Sequence, residues 1–268
     1  MEISPDTHMG LVELSVSDLE RSLAYWQNTV GLRVLSRENG TAELGADQPL
    51  VRFVEEPGAT SAQGYTGLFH VALLVPDRPT LGRFMAHVVR DGVEVTGLSD
   101  HVVSEAIYLR DPDYHGIEIY ADRPRETYEG RVAQTMTTIP LDTESLLAEA
   151  GDGAFDGLPA GTTVGHVHLC VSDVDEMVAF YNGKLGMGVT AHRPGGMAAF
   201  LSAGGYHHHL GGNTWESRGA AHAPEGTARL LRFTIVLPDK EEVARVAERI
   251  GGTEVSDPAG NPLVLVAA

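Results

Sequence analysis

The sequence predicts an α+β protein built from four copies of one module, each with the element order βαβββ. Three observations support this prediction. Two long segments align with each other without a gap, a second pair of segments repeats the same order of elements, and every repeat has an apolar strand that ends in an acidic turn. Internal repeats identify duplicated structural units, so they define the fold before any single residue is considered.

The first pair of segments covers residues 7–34 and 162–189, which align over 28 positions. Each has an apolar strand, a polar turn and an amphipathic helix. The predicted N-terminal caps are serines with an acidic residue three positions later, Ser17 with Glu20 and Ser172 with Asp175. We expect Gly31 and Gly186 to end the helices, because glycine readily adopts the left-handed conformation of a helix C-cap.

The second pair covers residues 67–95 and 229–255, again with the order strand, turn and helix. The closing strands also match, at residues 111–121 and 257–267. The four apolar strands end at equivalent aspartates, Asp18, Asp77, Asp173 and Asp239. Module four is predicted to be shortened, because it has no counterpart of the stretch TGLSDHVVSEAIYLR in module two.

The repeats divide the chain into two halves. We predict an N-terminal domain at 1–122 with modules one and two, and a C-terminal domain at 162–268 with modules three and four. The connector at 123–161 has glycine-rich flanks and one short helix candidate, LDTESLLAEAG.

Composition excludes several classes of function. The net charge of −18 repels phosphates, so no nucleic acid partner is expected. The sequence has neither a run of 18 apolar residues nor a signal-peptide pattern, so no membrane association is expected. The single cysteine, Cys170, fits a reducing cytoplasm, and the edge strands of the predicted sheets favour a homo-oligomer. Twelve histidines suggest metal or proton chemistry.

Equivalent positions in the modules predict a metal site. Seven residues before the strand-ending aspartate, modules two and three have His70 and His166, where the other modules have Leu11 and Arg232. Seven residues after the aspartate of the DP turn, module two has Glu118 and module four has a valine. Two imidazoles and one carboxylate are the ligands typical of a non-haem iron(II) site with open coordination positions. Mn(II) accepts the same ligands.

The complete ligand set forms only if module two pairs with module three across the connector. Two alternatives to this ligand set remain open. A strand histidine is often a hydrogen-bonded core residue, and His8 is a rival ligand three residues before the Leu11 position. Odd spacing puts His8 on the opposite face of its strand from that position, so we rank it below His166.

The four-module pattern resembles the vicinal oxygen chelate superfamily, which includes glyoxalase I, bleomycin-binding proteins and type I extradiol dioxygenases. The stretch HVVSEAIYLRDPDYHGIE, residues 101–118, is close to the extradiol signature, with departures at Ser99 and Tyr114. The resemblance covers nearly the whole chain and is strongest to two-domain bacterial catechol 2,3-dioxygenases. It implies two mixed-sheet half-barrel domains and iron(II) held by His70, Glu118 and His166. In better-known members all three ligands come from the C-terminal half.

The same resemblance implies roles for residues outside the ligand set. His208, in the stretch YHHHL, matches the family's acid–base histidine, and His101 with Tyr108 matches its hydrogen-bond donors to the substrate. We predict that the triplet lies on a β-strand, with His207 and His209 on the face opposite His208. A register shifted by one residue would instead direct His207 or His209 at the metal. His168 and Trp215 are candidate pocket walls.

The expected function is therefore that of an iron(II)-dependent extradiol dioxygenase, with a small aromatic diol and O2 as substrates and a hydroxymuconic semialdehyde-type product. Two alternatives are weighed against it. A glyoxalase-like isomerase or hydrolase usually has a glutamate in each paired module, and module three has histidines there. A ligand-sequestering protein of the bleomycin-binding kind has no need of the three ligands.

Overall fold

The computed structural model describes residues 2–151, 153–192 and 195–268. Within these ranges no helix has both the length and the apolar character that crossing a membrane requires.

Modules one and two contain nine strands and two helices. Helix α1 continues into a π-helical turn at Trp26–Val30. In chain order the elements are β1 (His8–Val16), α1 (Leu19–Tyr25), β2 (Arg33–Glu38), β3 (Thr41–Gly45), β4 (Pro49–Glu55), β5 (Thr60–Ser61), β6 (Gly67–Leu74), α2 (Arg78–Asp91), β7 (Gly97–Asp100), β8 (Ser104–Arg110) and β9 (Gly116–Asp122).

The connector and modules three and four contain the remaining elements. A 3₁₀ turn at Arg125–Thr127 opens the connector, and a π-helical turn at Ala179–Leu185 continues α5. In chain order the elements are α3 (Val132–Thr135), β10 (Ile139–Pro140), α4 (Thr143–Glu149), β11 (Thr163–Cys170), α5 (Val174–Val178), β12 (Gly188–His192), β13 (Ala198–Ser202), β14 (Leu210–Asn213), β15 (Thr227–Ala228), β16 (Leu230–Leu237), α6 (Lys240–Ile250), β17 (Glu254–Ser256) and β18 (Pro262–Ala267).

Two large mixed sheets contain strands from both halves of the chain. The first sheet has the strand order β17-β18-β16-β1-β4-β3-β2, so module four pairs with module one. The second sheet has the order β10-β7-β8-β9-β6-β11-β14-β13-β12, so module two pairs with module three through β6 and β11. The predicted α+β class, the pairing of modules two and three, and the shortening of module four are confirmed. The division into domains at 1–122 and 162–268 stays a prediction.

The helices begin at the aspartates that end each strand. The side chain of Asp18 accepts the backbone N–H of Arg21, and Asp173 accepts two N–H groups of the first turn of α5. The predicted capping boxes are therefore wrong, because aspartate, itself a strong N-cap residue, occupies the cap one position after each serine. Ser17 donates its hydroxyl to Asp113 instead. Gly31 and Gly186 end their helices with φ of 88° and 101°, as predicted.

The two faces of the second sheet have different surroundings. Val71 and Leu73 of β6 belong to the main core, together with Leu81 and Phe84 of α2. Ala72, between them, packs with Ala106 and Tyr120 in a separate small cluster on the other face. Successive side chains of a strand point to opposite faces, so the helix covers one face and leaves the other to a cavity.

The connector takes part in the second sheet. The helix predicted from LDTESLLAEAG is present as α4. Strand β10 pairs with β7, with Ile139 opposite Asp100, so the connector runs along one edge of the sheet. This pairing brings Thr137 and Thr138 to the cavity on the open face.

Candidate active site

Three adjacent strands bring His70, Glu118 and His166 together. Glu118 on β9 lies opposite Ala72 on β6, and Ala72 lies opposite His166 on β11. His70 is two residues before Ala72, so it shares that face of the sheet. The small Ala72 side chain separates the two larger groups, and this leaves room for their polar ends to converge above the sheet.

The polar atoms of these three residues meet at one point. Glu118 Oε2 lies 2.9 Å from His70 Nε2 and 3.1 Å from His166 Nε2, and the two Nε2 atoms are 3.3 Å apart. The residues are 6%, 2% and 1% exposed for His70, Glu118 and His166. Metal–ligand distances of roughly 2.0–2.2 Å put neighbouring ligand atoms about 3 Å apart. The donor atoms and their spacing therefore fit a divalent metal ion.

The protonation states of His166 and Glu118 also favour metal binding. Burial lowers the pKa of His166 to about 4, so its imidazole is neutral near pH 7. Burial alone would raise the pKa of Glu118, but the neighbouring His166 and His70 outweigh it and hold that pKa well below its usual range. The site thus combines an ionised carboxylate with a neutral imidazole on His166, the protonation states in which these groups bind metals.

His208 lies beside this group, but the triplet is not on a strand. Residues 206–209 form an irregular bend, and β14 begins only at Leu210. Strand alternation therefore does not apply, and the prediction that His207 and His209 share a face opposite His208 is wrong. The His208 ring lies 4.1 Å from the His166 ring between centroids, and His208 lines the cavity.

The other two histidines of the triplet have different partners. His207 Nε2 lies 2.8 Å from Asp122 Oδ1, and His207 Nδ1 lies 2.7 Å from His208 Nδ1. His209 Nδ1 accepts a hydrogen bond from the backbone N–H of Ala203 at 3.1 Å. Burial lowers the pKa of His208 well below its usual value and that of His209 to about 3, so both are neutral.

His101 and Tyr108 occupy the opposite side of the cavity. His101 Nε2 lies 2.7 Å from the Tyr108 hydroxyl, and His101 Nδ1 donates to the carbonyl of Thr137 in the connector. Tyr108 lies opposite Glu118 in the sheet. Burial, followed by the nearby Glu118 charge, raises the pKa of Tyr108 well above its usual value, so the phenol keeps its proton.

His101 sits in a tight turn between β7 and β8. The next residue, Val102, has φ of 67°, in the left-handed region that a β-branched residue rarely adopts. Asp100 Oδ1 stabilises this turn by accepting the Val102 N–H at 2.7 Å. Strained backbone of this kind is concentrated at functional sites, and here it orients the histidine next to Tyr108.

An open cavity of about 600 Å³ lies above these residues. Its aromatic wall contains Phe69, Phe200 and Trp215, with the Phe69 and Trp215 rings 5.3 Å apart in an edge-to-face arrangement. Trp215 is 52% exposed, so it stands at the mouth. His168 forms part of the wall, as predicted, and accepts a hydrogen bond from the Asn213 side chain at 3.0 Å. The cavity can hold a flat aromatic ligand next to the metal site.

Sequence reasoning missed several of these residues. The residues that line the cavity without having been singled out by any motif are Phe69, Phe200, Thr137 and Thr138. Phe69 directly precedes His70, and neighbours on a strand point to opposite faces, so strand alternation predicts that Phe69 faces away from the site. The Phe69 ring nevertheless lies 5.3 Å from the His70 ring, near the start of β6.

His8, the rival ligand, is not part of this site. It begins β1 in the first sheet, opposite Val236, and its Nδ1 contacts the carbonyl of Asp6. In the first sheet the pair Glu13 and Arg232 forms an ion pair with Arg232 Nε 2.6 Å from Glu13 Oε1. Arg232 occupies the position that corresponds to His70, so the first sheet has a salt bridge where the second sheet has His70 and His166.

The chain matches the Glyoxalase/Bleomycin resistance protein/Dioxygenase superfamily over residues 8–119 and 163–262. It is 45% identical over 256 residues to a protein of Bacillus subtilis (strain 168) named catechol-2,3-dioxygenase, an alignment that covers 92% of this chain and 89% of the relative.

Solved structures share the fold at lower identity. A putative dioxygenase from Bacillus subtilis subsp. subtilis str. 168 superposes with a TM-score of 0.67 at 13% identity, covering 100% of this chain and 86% of the other. Glyoxalase I from Zea mays superposes with a TM-score of 0.59 at 18% identity, covering 98% and 92%. At these identities the similarity extends to the fold alone.

Proposed function

Since the chain belongs to the Glyoxalase/Bleomycin resistance protein/Dioxygenase superfamily, we propose that it is an iron(II)-dependent extradiol dioxygenase of the catechol 2,3-dioxygenase type. Its substrates are a small aromatic diol and O2, and its product is a hydroxymuconic semialdehyde. The observation that carries this proposal is the convergence of His70, Glu118 and His166 at the floor of an aromatic cavity. The name of the relative that shares 45% identity supports the same activity.

The ligand set supports iron(II) and accepts manganese(II) equally well. His70, Glu118 and His166 would hold the ion, and two imidazoles with one carboxylate are the donor set of iron sites that keep coordination positions open for other ligands. The chemistry that such an ion supplies is the joint binding of both substrates and the passage of electrons from the aromatic ring to dioxygen. The residues of the chain bind the diol, orient it, and accept and return its protons.

His208 has the position and protonation state of the base. A catechol loses protons when both of its oxygens bind a metal, and a neutral imidazole at the cavity wall can accept one of them. His208 lines the cavity next to His166 and is neutral because of its burial. The imidazolium formed in this way holds the proton where ring opening later needs it. His208 therefore acts first as a base and then as an acid.

Tyr108 and His101 act on the substrate oxygen from the other side. The Tyr108 phenol keeps its proton and lies on the strand next to Glu118. Its O–H donates to His101 Nε2, and by rotating about the C–O bond it can donate instead to a substrate oxygen that gains negative charge. His101 contacts the Tyr108 hydroxyl and is itself held by the Thr137 carbonyl. The pair thus stabilises an oxyanion at this side of the cavity.

The cavity walls support a ring-shaped substrate larger than catechol itself. Phe200 and Trp215 offer aromatic faces and edges, and the cavity of about 600 Å³ exceeds the needs of a single six-membered ring. Arg110 lies over Phe69, with its guanidinium carbon 5.7 Å from the ring centroid. Aromatic walls exclude water from the reacting oxygens and hold the ring by shape. Substituted catechols are therefore the substrate class we propose.

The proposal also includes a cytoplasmic location and a homo-oligomeric state. The single cysteine is buried and free, as in proteins of reducing compartments. Leu35 on the edge strand β2 and Val189 on the edge strand β12 are exposed, and exposed apolar side chains on sheet edges favour association between copies. Sedimentation of the purified chain tests the second statement.

Oxygen uptake tests the proposed activity. Protein loaded with iron(II) under anaerobic conditions is mixed with aerated buffer that contains catechol or an alkylcatechol, and absorbance in the visible range is followed in parallel. We expect one O2 consumed per catechol together with a yellow ring-opened product. Bound iron without any uptake across these substrates would refute the proposal and favour a glyoxalase-like isomerase or hydrolase.

A further inference from the structure

A chain of hydrogen bonds runs from the protein surface to His208. Asp122 Oδ1 accepts from the Tyr206 hydroxyl at 3.1 Å and from His207 Nε2 at 2.8 Å. His207 Nδ1 and His208 Nδ1 are 2.7 Å apart, and His207 is fully buried. Tyr120 contacts the Tyr206 hydroxyl at 2.7 Å, which fixes the far end of the chain.

We propose that Asp122 and His207 fix the tautomer of His208, so that its Nε2 atom faces the cavity with a free lone pair. Asp122 and His207 are then positioning residues, since they act on the substrate only through His208. The tautomer follows from the hydrogen-bond partners of the two histidines. The role of His208 as a base rests on the function proposed above.

The Asp122 carboxylate sets the direction of the hydrogen bonds in this chain. An ionised carboxylate only accepts hydrogen bonds, so the proton between Asp122 and His207 belongs to His207 Nε2. A neutral imidazole carries one N–H, which leaves His207 Nδ1 as an acceptor. The atom 2.7 Å away must then be a donor, and this places the proton of His208 on its Nδ1. Neutral His208 consequently has an unprotonated Nε2.

The other tautomer leaves groups unsatisfied. With its proton on Nε2, His208 would direct a lone pair at the lone pair of His207 Nδ1 across 2.7 Å. Reversing His207 to donate from Nδ1 would relieve that contact, but it would put a lone pair against Asp122. Unpaired buried polar groups cost free energy. With both imidazoles neutral, one arrangement of protons therefore satisfies all four atoms.

The strand that carries Glu118 also carries this anchor. Glu118, Tyr120 and Asp122 alternate along β9 and share one face of the sheet. A single strand thus sets the position of the carboxylate in the metal site and the orientation of the base beside it. Each histidine of the triplet now has its own task, because His207 positions, His208 accepts the proton, and His209 accepts the Ala203 N–H and holds the bend.

The tautomer can be measured without any turnover. The full-length chain is labelled with ¹⁵N-histidine, zinc(II) is added as a diamagnetic ion, and long-range ¹H–¹⁵N spectra distinguish Nδ1–H from Nε2–H imidazoles. His207→Asn and His208→Gln variants assign the two residues. We expect Nε2–H for His207 and Nδ1–H for His208. An Nε2–H signal for His208 in the wild-type chain would overturn the proposal, whether or not the enzyme cleaves catechols.

Variants connect the tautomer to function. His207→Leu removes the acceptor, and Asp122→Ala removes its anchor. In both variants we expect mixed His208 tautomers and kcat lowered by roughly ten- to a hundredfold, with metal content and KM nearly unchanged. His207→Asn retains an acceptor oxygen near the position of Nδ1 and should recover the Nδ1–H signal and much of the activity. Equal loss in His207→Leu and His207→Asn, with the tautomer unchanged in both, would contradict the proposal.

A matched control is available in the same bend. His209→Asn changes the neighbouring histidine, which has no hydrogen bond to His208, and keeps an acceptor for the Ala203 N–H. We expect this variant to leave both the His208 tautomer and kcat unchanged. A chain that shows the expected tautomer but no oxygen uptake would contradict the proposed function and leave the hydrogen-bond assignment intact.

Discussion

The indole of Trp26 donates a buried hydrogen bond of 3.0 Å from Nε1 to Asp111 Oδ2. This contact joins the helix of module one to the turn that leads into the Glu118 strand of module two. Tyr181 and Asp257, at the equivalent positions in modules three and four, form the same link at 3.1 Å. These hydrogen bonds therefore join modules that follow each other in the chain, one to two and three to four. The sheets join modules from different halves of the chain, one to four and two to three.

The hydrogen bonds of Asp111 predict that its loss reduces metal binding, whereas the loss of Asp257 in the other half of the chain does not. Asp111 Oδ1 also accepts the N–H groups of Asp113 and His115. We expect Asp111→Ala to lower the free energy of unfolding by about 1–3 kcal/mol and to reduce bound metal, because the turn before Glu118 loosens. Asp257→Ala is the matched control and should cost similar stability while metal content is retained. Urea unfolding and metal analysis measure both, and equal metal loss in the two variants would contradict this prediction.

Removal of any proposed ligand should abolish metal binding. We expect His70→Ala, Glu118→Ala and His166→Ala to contain only background metal after loading with iron(II) and gel filtration, because two ligands hold a divalent ion weakly. His8→Ala should bind metal normally, since His8 lies in the first sheet. Circular dichroism checks that each variant is folded. Full iron in His166→Ala together with loss in His8→Ala would show that the ligand assignment is wrong.

Removal of the proposed base should separate metal binding from turnover. We expect His208→Ala to retain its metal and to lose kcat by roughly a hundredfold or more. Tyr108→Phe removes only the phenolic oxygen, so it should retain metal and show a smaller loss of kcat. Steady-state oxygen uptake on a catechol measures both variants. Full activity in His208→Ala would exclude His208 as the acid–base residue.

The buried His209 predicts a pH dependence of stability. Burial lowers its pKa to about 3 in the folded protein, whereas in the unfolded chain the value is about 6.5. The unfolded state binds more protons between these values, so the contribution of His209 to stability is present above pH 6.5 and is lost as the pH falls towards 3.

A variant isolates this contribution. His209→Asn keeps an acceptor for the Ala203 N–H but has no titrating group. We expect it to reduce the slope of unfolding free energy against pH by up to about 1.4 kcal/mol per pH unit below the unfolded-state pKa. Urea unfolding of the metal-free chain from about pH 7 to about pH 5 measures the slope. Identical slopes for the two proteins would refute the prediction.

Repeated modules made much of the fold predictable. The strand, turn and helix of each module have local signals, so the elements, the glycine C-caps and the short fourth module could be predicted from spacing alone. The prediction that serines cap the helices was wrong, because both serine and aspartate suit an N-cap. Ser17 instead bonds Asp113, which lies 96 residues away in the chain, and no local pattern contains that partner.

The sequence by itself determined that His70, Glu118 and His166 belong to one site, because equivalent residues of duplicated modules occupy equivalent places on a strand. The tertiary structure decided what surrounds them. Gly116 is one example, since a Cβ atom there would lie 1.9 Å from the Phe69 carbonyl oxygen of the neighbouring strand. The bond from Asp122 to His207 is another, joining residues 85 positions apart. Hydrogen bonds and close packing depend on distances of a few tenths of an ångström between separate elements, and only the assembled sheets fix those distances.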